Sequence, residues 1–291
     1  MNFVAMGGKE EPSRIKLLIL LSIAVMSISL ASILAVLASA PGSVTAFWRL
    51  FFSLFVLLSF KPFKKPDKIE FLIYPAIAGV SLGIHFASWI ESLFHASVAV
   101  STTIVCTHAL FSGFFSSIFG EKPGKFQLFG AIIALTGVYF LSGADPSSTT
   151  YGVVLALIGA IARGVYFTAG RFVKDKIAFN SYIFLTYSFA TLTTFFINLL
   201  SSANPSFLFD YPLETWIYFI LLALIPMSIG HTILNYVLRY MKALPVTTSV
   251  LGEAVGASIL AYLILGQLLP VSAYLSMLVV LFGIGIVLRK A

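Results

Sequence analysis

The 291-residue chain is 59% hydrophobic and only 10% charged, with a mean hydropathy of +1.01. Soluble domains carry about 25% charged residues, so the composition excludes that class and marks a polytopic membrane protein. The net charge of +7 does not mark a nucleic-acid surface, because the basic residues fall in the breaks between apolar runs. The single cysteine, Cys106, lies inside an apolar run, which excludes a disulfide framework.

In chain order, ten apolar runs are each long enough to serve as a membrane span: 15–38, 44–60, 71–92, 97–118, 125–142, 152–171, 180–200, 215–238, 245–265 and 270–288. The first run resembles a signal peptide, ending in Ala38-Ser39-Ala40, but it is longer than a cleavable core and is followed by Pro41, so it reads as a retained span. Turn chemistry separates the runs at Ala40-Pro41-Gly42, Lys61-Pro62, Lys122-Pro123-Gly124, Asp145-Pro146-Ser147 and Asn204-Pro205. Apart from Arg49 and Arg163, every Lys and Arg sits at the N-terminus, in an even-numbered loop or at the C-terminus, while the odd-numbered loops carry Asp145, Asp210 and Glu214. Positive residues mark the cytoplasmic side, so both termini are expected there, in a multi-pass protein of the cell membrane.

The chain also repeats itself. Shifted by 146 residues, Gly120-Glu121 falls on Gly266-Gln267, Gly137 on Gly283, His85 on His231, Thr107 on Glu253 and His108 on Ala254. The expected organisation is a short N-terminal segment, 1–14, followed by two five-span repeats, 15–145 and 146–291. Five spans per repeat is an odd number, so the second half must enter the membrane inverted, and inverted repeats with a site near the midplane are a transporter architecture. The fold class expected is thus all-α: ten transmembrane helices as two inverted five-helix repeats.

These motifs resemble the drug/metabolite transporter superfamily, in particular its EamA-type ten-helix proteins. The resemblance covers nearly the whole chain. It rests on 43–49 (SVTAFWR), which leads to an arginine in span 2; on 96–121, which ends in Gly-Glu; on 251–257 (LGEAVGA); and on the closing element 266–283. The chain departs from the family pattern where His108 and Ala254 replace prolines, where Gln267 replaces a glutamate, and at Arg163, where the family has an uncharged residue. The resemblance implies a transporter, commonly an exporter, of amino acids, other metabolites or drugs.

The candidate site follows from the polar residues within the spans. A rise of about 1.5 Å per residue puts Arg163 and His108 about 16 Å below the outer face, and Glu253 roughly 18 Å below it, in a core about 30 Å thick. An intramembrane ionisable group is a functional candidate by default, and a structural Arg163–Glu253 ion pair is the competing reading. His85 and His231 occupy equivalent repeat positions, as interhelical donors or as proton relays, and Trp89 shares a helix face with His85. Arg49 is placed about 7 Å below the outer face, where it can snorkel outward or attract anions. Glu91 and His95 are placed in solvent, and Glu121 beside Lys122, Lys125 or a helix end. Trp48, Tyr166 and Tyr236 are aromatic candidates for the cavity wall. Gly252-x-x-x-Gly256 predicts close approach of another helix.

Metal-ligand clusters, phosphate-cradling glycine loops and nucleophile elbows are absent from the sequence, so neither cofactor nor metal is expected. The expected function is secondary transport of a small metabolite such as an amino acid, with the lipid bilayer as solvent and protons as a possible coupling ion. The alternatives are export of hydrophobic cations through Glu253 and aromatics, an intramembrane enzyme built on His108, Glu253 and Arg163, and a membrane scaffold.

Overall fold

The computed structural model describes residues 12–59, 63–66, 68–96, 98–142, 149–173, 176–201, 208–265 and 270–289. The repeat matches at Gly266 and Gln267, and the acidic loop residue Asp145, lie outside these. Among the described residues the regular structure is helical, and each expected span corresponds to one rod: α1 (Arg14–Ser29 and Ala31–Ala38), α2 (Gly42–Leu58), α3 (Ile73–Ser92), α4 (Val98–Cys106 and His108–Ile118), α5 (Lys125–Ser142), α6 (Thr150–Phe172), α7 (Phe179–Ser201), α8 (Leu213–Leu238), α9 (Ala243–Ser249 and Gly252–Leu265) and α10 (Val271–Arg289). Six stretches are long and apolar enough to cross a membrane, and Gly42–Leu58, Lys125–Phe140 and Tyr274–Arg289 are shorter apolar helices.

Packing follows the repeat. α3 packs on α6 and α7, and its mate α8 packs on α1 and α2; α4 packs on α6, and α9 on α1. The mated helices α5 and α10 pack on each other, as do α2 with α7 and α4 with α9. The glycines in α5 and α10 show the hand of the relation. A Cβ at Gly130 would fall 2.8 Å from the Gly283 carbonyl oxygen, and one at Gly137 would fall 3.0 Å from the Ser276 carbonyl oxygen. The 146-residue shift turns the first contact into the second, and later residues of α5 meet earlier residues of α10. Equivalent helices therefore run antiparallel, as inverted repeats require.

Charge sorts the helix ends. Arg14 Nη2 donates to the Leu288 and Arg289 carbonyls at 2.5 and 3.2 Å, and Arg171 Nη1 donates to the Leu238 and Arg239 carbonyls at 2.9 and 3.3 Å. These arginines satisfy the orphan carbonyls at helix C-termini, where a positive charge is favoured. Glu121 follows the same logic on this basic face: Arg171 Nε donates to it at 2.6 Å and the Ala243 N–H at 3.4 Å. Of the expected partners, Lys122, Lys125 or a helix end, it is the ends of α6 and α9 that Glu121 meets.

At the opposite face Glu91 and His95 are half-buried rather than solvated. Glu91 Oε2 accepts the Gly42 N–H at 2.8 Å, capping α2, and Glu91 Oε1 lies 3.2 Å from His95 Nε2. Thr149 caps α6, accepting from the Gly152 N–H at 3.1 Å, while its hydroxyl donates to the His95 carbonyl at 2.8 Å. A solvated reading overlooked the bare N–H groups at the starts of α2 and α6, which need acceptors at this face.

Candidate functional site

Two helices are interrupted at matching places. In α9 the backbone tightens into short i→i−3 turns: Leu251 N–H to Thr248 O at 3.0 Å, Glu253 N–H to Val250 O at 2.8 Å and Ala254 N–H to Leu251 O at 3.2 Å. In α4 the Thr107 N–H bonds Ile104 O at 3.0 Å and the Leu110 N–H bonds Thr107 O at 2.9 Å. Thr107 and Glu253 are repeat mates, so both halves break their helix at or near equivalent positions of the repeat. The breaks place His108 and Glu253 at the starts of new helical segments.

Glu253 meets Arg163 there. Arg163 Nη2 lies 2.9 Å from Glu253 Oε2, and the side chains are only 1% and 3% exposed. Arg163 Nε and Nη1 have no hydrogen-bond partner among the described residues, and its guanidinium carbon stands 5.7 Å from the Phe167 ring centre. The pair inferred from matching depths is present, in the interior.

The histidines surround it. His85 Nδ1 is 2.9 Å from the Gly159 carbonyl and His108 Nδ1 is 2.9 Å from the Val105 carbonyl. A carbonyl only accepts, so each Nδ1 carries the proton, and in the neutral ring each Nε2 offers a lone pair; neither Nε2 has a partner among the described residues. Trp89 stacks on His85 at 5.8 Å with 4° between the planes, and its indole N–H is also unpartnered.

His231 stands between Phe86 at 5.1 Å and Phe167 at 6.4 Å, with Nδ1 unpartnered. Tyr166 lies 6.0 Å from His231, and its hydroxyl accepts from Asn235, which also donates to the His231 carbonyl at 2.8 Å.

Of the two alternatives for Arg49, snorkelling outward or facing the interior, the structure has the second: it is fully buried, with its guanidinium carbon 3.9 Å above the Phe86 ring centre. None of its three nitrogens has a partner among the described residues. It is within electrostatic reach of Glu253, Tyr187, Arg163 and Tyr166. Helix rotation decides this: the neighbouring Trp48 turns to Leu208 and Trp216, and Arg49 faces Phe86 on α3.

Trp48 and Tyr236 stand apart from the cluster. Trp48 donates to the Leu208 carbonyl at 2.8 Å and packs on Trp216 at 4.7 Å. Tyr236 packs on Phe179 and Tyr240 at 5.6 and 5.2 Å.

Sequence reasoning passed over the wide turn in α8. Ala223–His231 is π-helical around Pro226. The Met227 carbonyl accepts from Tyr187 Oη at 3.3 Å and Thr232 Oγ1 at 3.4 Å, and the Ala223 carbonyl from Ser228 Oγ at 2.7 Å. Such π segments recur at functional sites, and Pro226 in mid-span was the available cue. The turn sets His231 and Asn235 toward Tyr166.

The arrangement presents donors from two guanidiniums and an indole, acceptors from two imidazoles, and one carboxylate, all buried. A cavity of about 610 Å³ lies beyond it toward the opposite face, lined by Pro41, Ser88, Glu91, Leu155, Ile158 and Ile197 among others.

The EamA-like transporter family matches the chain twice, over residues 14–143 and 150–289. The chain is 22% identical over 251 residues to an "Uncharacterized transporter" of Archaeoglobus fulgidus, covering 85% of this chain and 87% of that protein. A solved structure titled "Crystal structure of protein" superposes with a TM-score of 0.76 at 16% identity, covering 96% of this chain and 99% of that one, a likeness of fold.

Proposed function

The chain belongs to the EamA-like transporter family, and from that premise we propose that it is a secondary transporter that exports a small carboxylate-bearing metabolite, such as an amino acid, across the cell membrane. The reading keeps both termini cytoplasmic and the halves 15–145 and 146–291 as the units that rock. One observation carries it: a buried Arg163–Glu253 pair at 2.9 Å, next to a helix break whose mate lies in the other half. Buried ion pairs are often poorer stabilisers than apolar packing, so a site that bears the desolvation cost has a use for the charges.

In this reading the substrate carboxylate takes guanidinium donors, and its amine or hydroxyl takes Glu253 or the imidazole lone pairs. Access alternates through two sets of contacts. Glu121–Arg171 with the Ala243 N–H ties α4, α6 and α9 on the basic face, while Glu91–Gly42 and Thr149–His95 tie the opposite one. Opening either set while the other holds exposes the cluster to one side. The 610 Å³ cavity serves as the outer vestibule. Glu253 is the candidate proton carrier, because breaking its pair with Arg163 leaves a carboxylate able to take a proton.

The test is counterflow in proteoliposomes without ATP. Vesicles preloaded with an unlabelled amino or hydroxy acid should accumulate the labelled compound transiently, and empty vesicles should not. Equal uptake in both, or none across the panel, would contradict the reading.

A further inference from the structure

The cluster does not balance in charge. With the imidazoles neutral, it holds Arg49, Arg163 and Glu253, two positive charges against one negative. Arg163 is matched by Glu253 at 2.9 Å. Arg49 has no counterion of its own: it is fully buried, its three nitrogens have no hydrogen-bond partner among the described residues, the face of Phe86 lies 3.9 Å from it, and the one carboxylate within its electrostatic reach, Glu253, is already paired with Arg163. A cation over an aromatic face is held far more weakly than one in a forked carboxylate pair. A buried guanidinium with every donor unspent is therefore a receptor awaiting an acceptor.

The size of the mismatch selects the ligand. A cation would raise the buried charge to +2. A neutral zwitterion bridging Arg163 and Glu253 would leave it at +1, with Arg49 still unmatched. A ligand of net charge −1 brings it to zero, using groups already aimed inward. We infer that the transported substrate carries one net negative charge, as a hydroxy acid, keto acid or acidic amino acid does, and that Arg49 forks its carboxylate. This deepens the transporter reading and rests on it. It also sets aside hydrophobic cations, which would meet an excess of positive charge.

Three neighbours give the subsite its shape. Phe86 supports the guanidinium from one side, His85 lies 4.9 Å from Phe86, and Trp89 stacks on His85 with its N–H unspent. Arg49 belongs to the first repeat, whereas Arg163 and Glu253 belong to the second. An anion on Arg49 that also reaches the Arg163–Glu253 pair would bridge the halves that must move against each other.

The test is ligand-induced thermal stabilisation of the purified protein in detergent, with L-lactate and L-glutamate as net −1 probes, L-leucine as the neutral probe and L-lysine as the cationic probe, all at one ionic strength. The anions should raise the melting temperature and the other two should not. Arg49→Gln should weaken anion binding about tenfold or more, and Arg49→Lys should restore part of it. The variant's own stability is a second readout. Removing an unmatched buried charge should leave the ligand-free protein as stable as the parent or more so, whereas Arg163→Gln, which orphans Glu253, should lower its stability.

Three outcomes would overturn the inference: leucine or lysine stabilising as well as the anions, no stabilisation by either anion, or Arg49→Gln melting well below the parent as a partnered structural arginine would. Because these readouts need no vesicle, they separate from failure of the transporter reading, which appears as absent counterflow.

Discussion

The Arg163–Glu253 contact gives the most demanding prediction about stability. Both side chains are at most 3% exposed and meet at 2.9 Å. Removing one partner of such a pair leaves an uncompensated buried charge, at a cost of about 3–5 kcal/mol. At about 2 °C of melting temperature per kcal/mol, the low end of the range for large domains, Arg163→Ala and Glu253→Ala should each melt roughly 6–10 °C lower. The double variant removes both charges together and should recover most of that loss, giving a coupling of about 2–3 kcal/mol in a double-mutant thermal cycle in detergent. Transport should be lost in all three variants. Strict additivity would show that the residues do not interact, and the site would have to be rebuilt around Arg49 and the histidines. Recovery of transport along with stability would reduce the pair to a structural lock.

The remaining predictions test topology, packing and coupling. With Cys106 buried, a cysteine at the exposed Glu214 should react with an impermeant thiol reagent from outside intact cells and one at Ser13 should not; the reverse pattern would invert the assignment. A Cβ at Gly256 would meet Ser29 on α1, so Gly256→Val should cost about 1–3 kcal/mol by overpacking, read as a lower melting temperature, and an unchanged melting point would contradict the close approach. Glu253→Gln should abolish uptake driven by a proton gradient, and gradient-driven transport at the parental rate would remove Glu253 as the proton carrier.

Much of this architecture was legible in the residues. The alternation of Lys and Arg between loops fixes an even number of spans, and the 146-residue shift predicts the mates that pack antiparallel at Gly130–Gly283 and Gly137–Ser276. The Gly252-x-x-x-Gly256 face receives Val25 and Ser29 of α1. Counting rise per residue brought Arg163, His108 and Glu253 to one level, because depth is nearly linear along a helix.

What counting cannot supply is rotation about the helix axis. Depth alone leaves Arg49 free to snorkel outward or to face inward, and it is Phe86 that holds it inside while the adjacent Trp48 joins Trp216. Rotation likewise turns Tyr236 to Phe179 and Tyr240. The helix breaks in α4 and α9 carry no proline, so the usual cue was missing, whereas Pro226 did mark the π segment of α8.

The central claim is that one buried cluster is reached in turn from each side of the membrane. Ser112 tests it directly: it is fully buried on α4, one turn beyond His108, with its hydroxyl unpartnered among the described residues. Ser112→Cys, in a Cys106→Ser background, should react slowly with a small membrane-impermeant thiol reagent applied to either face of sealed vesicles, and lactate or glutamate should slow both reactions. Labelling from one face only, whatever the gradient or substrate, would contradict alternating access.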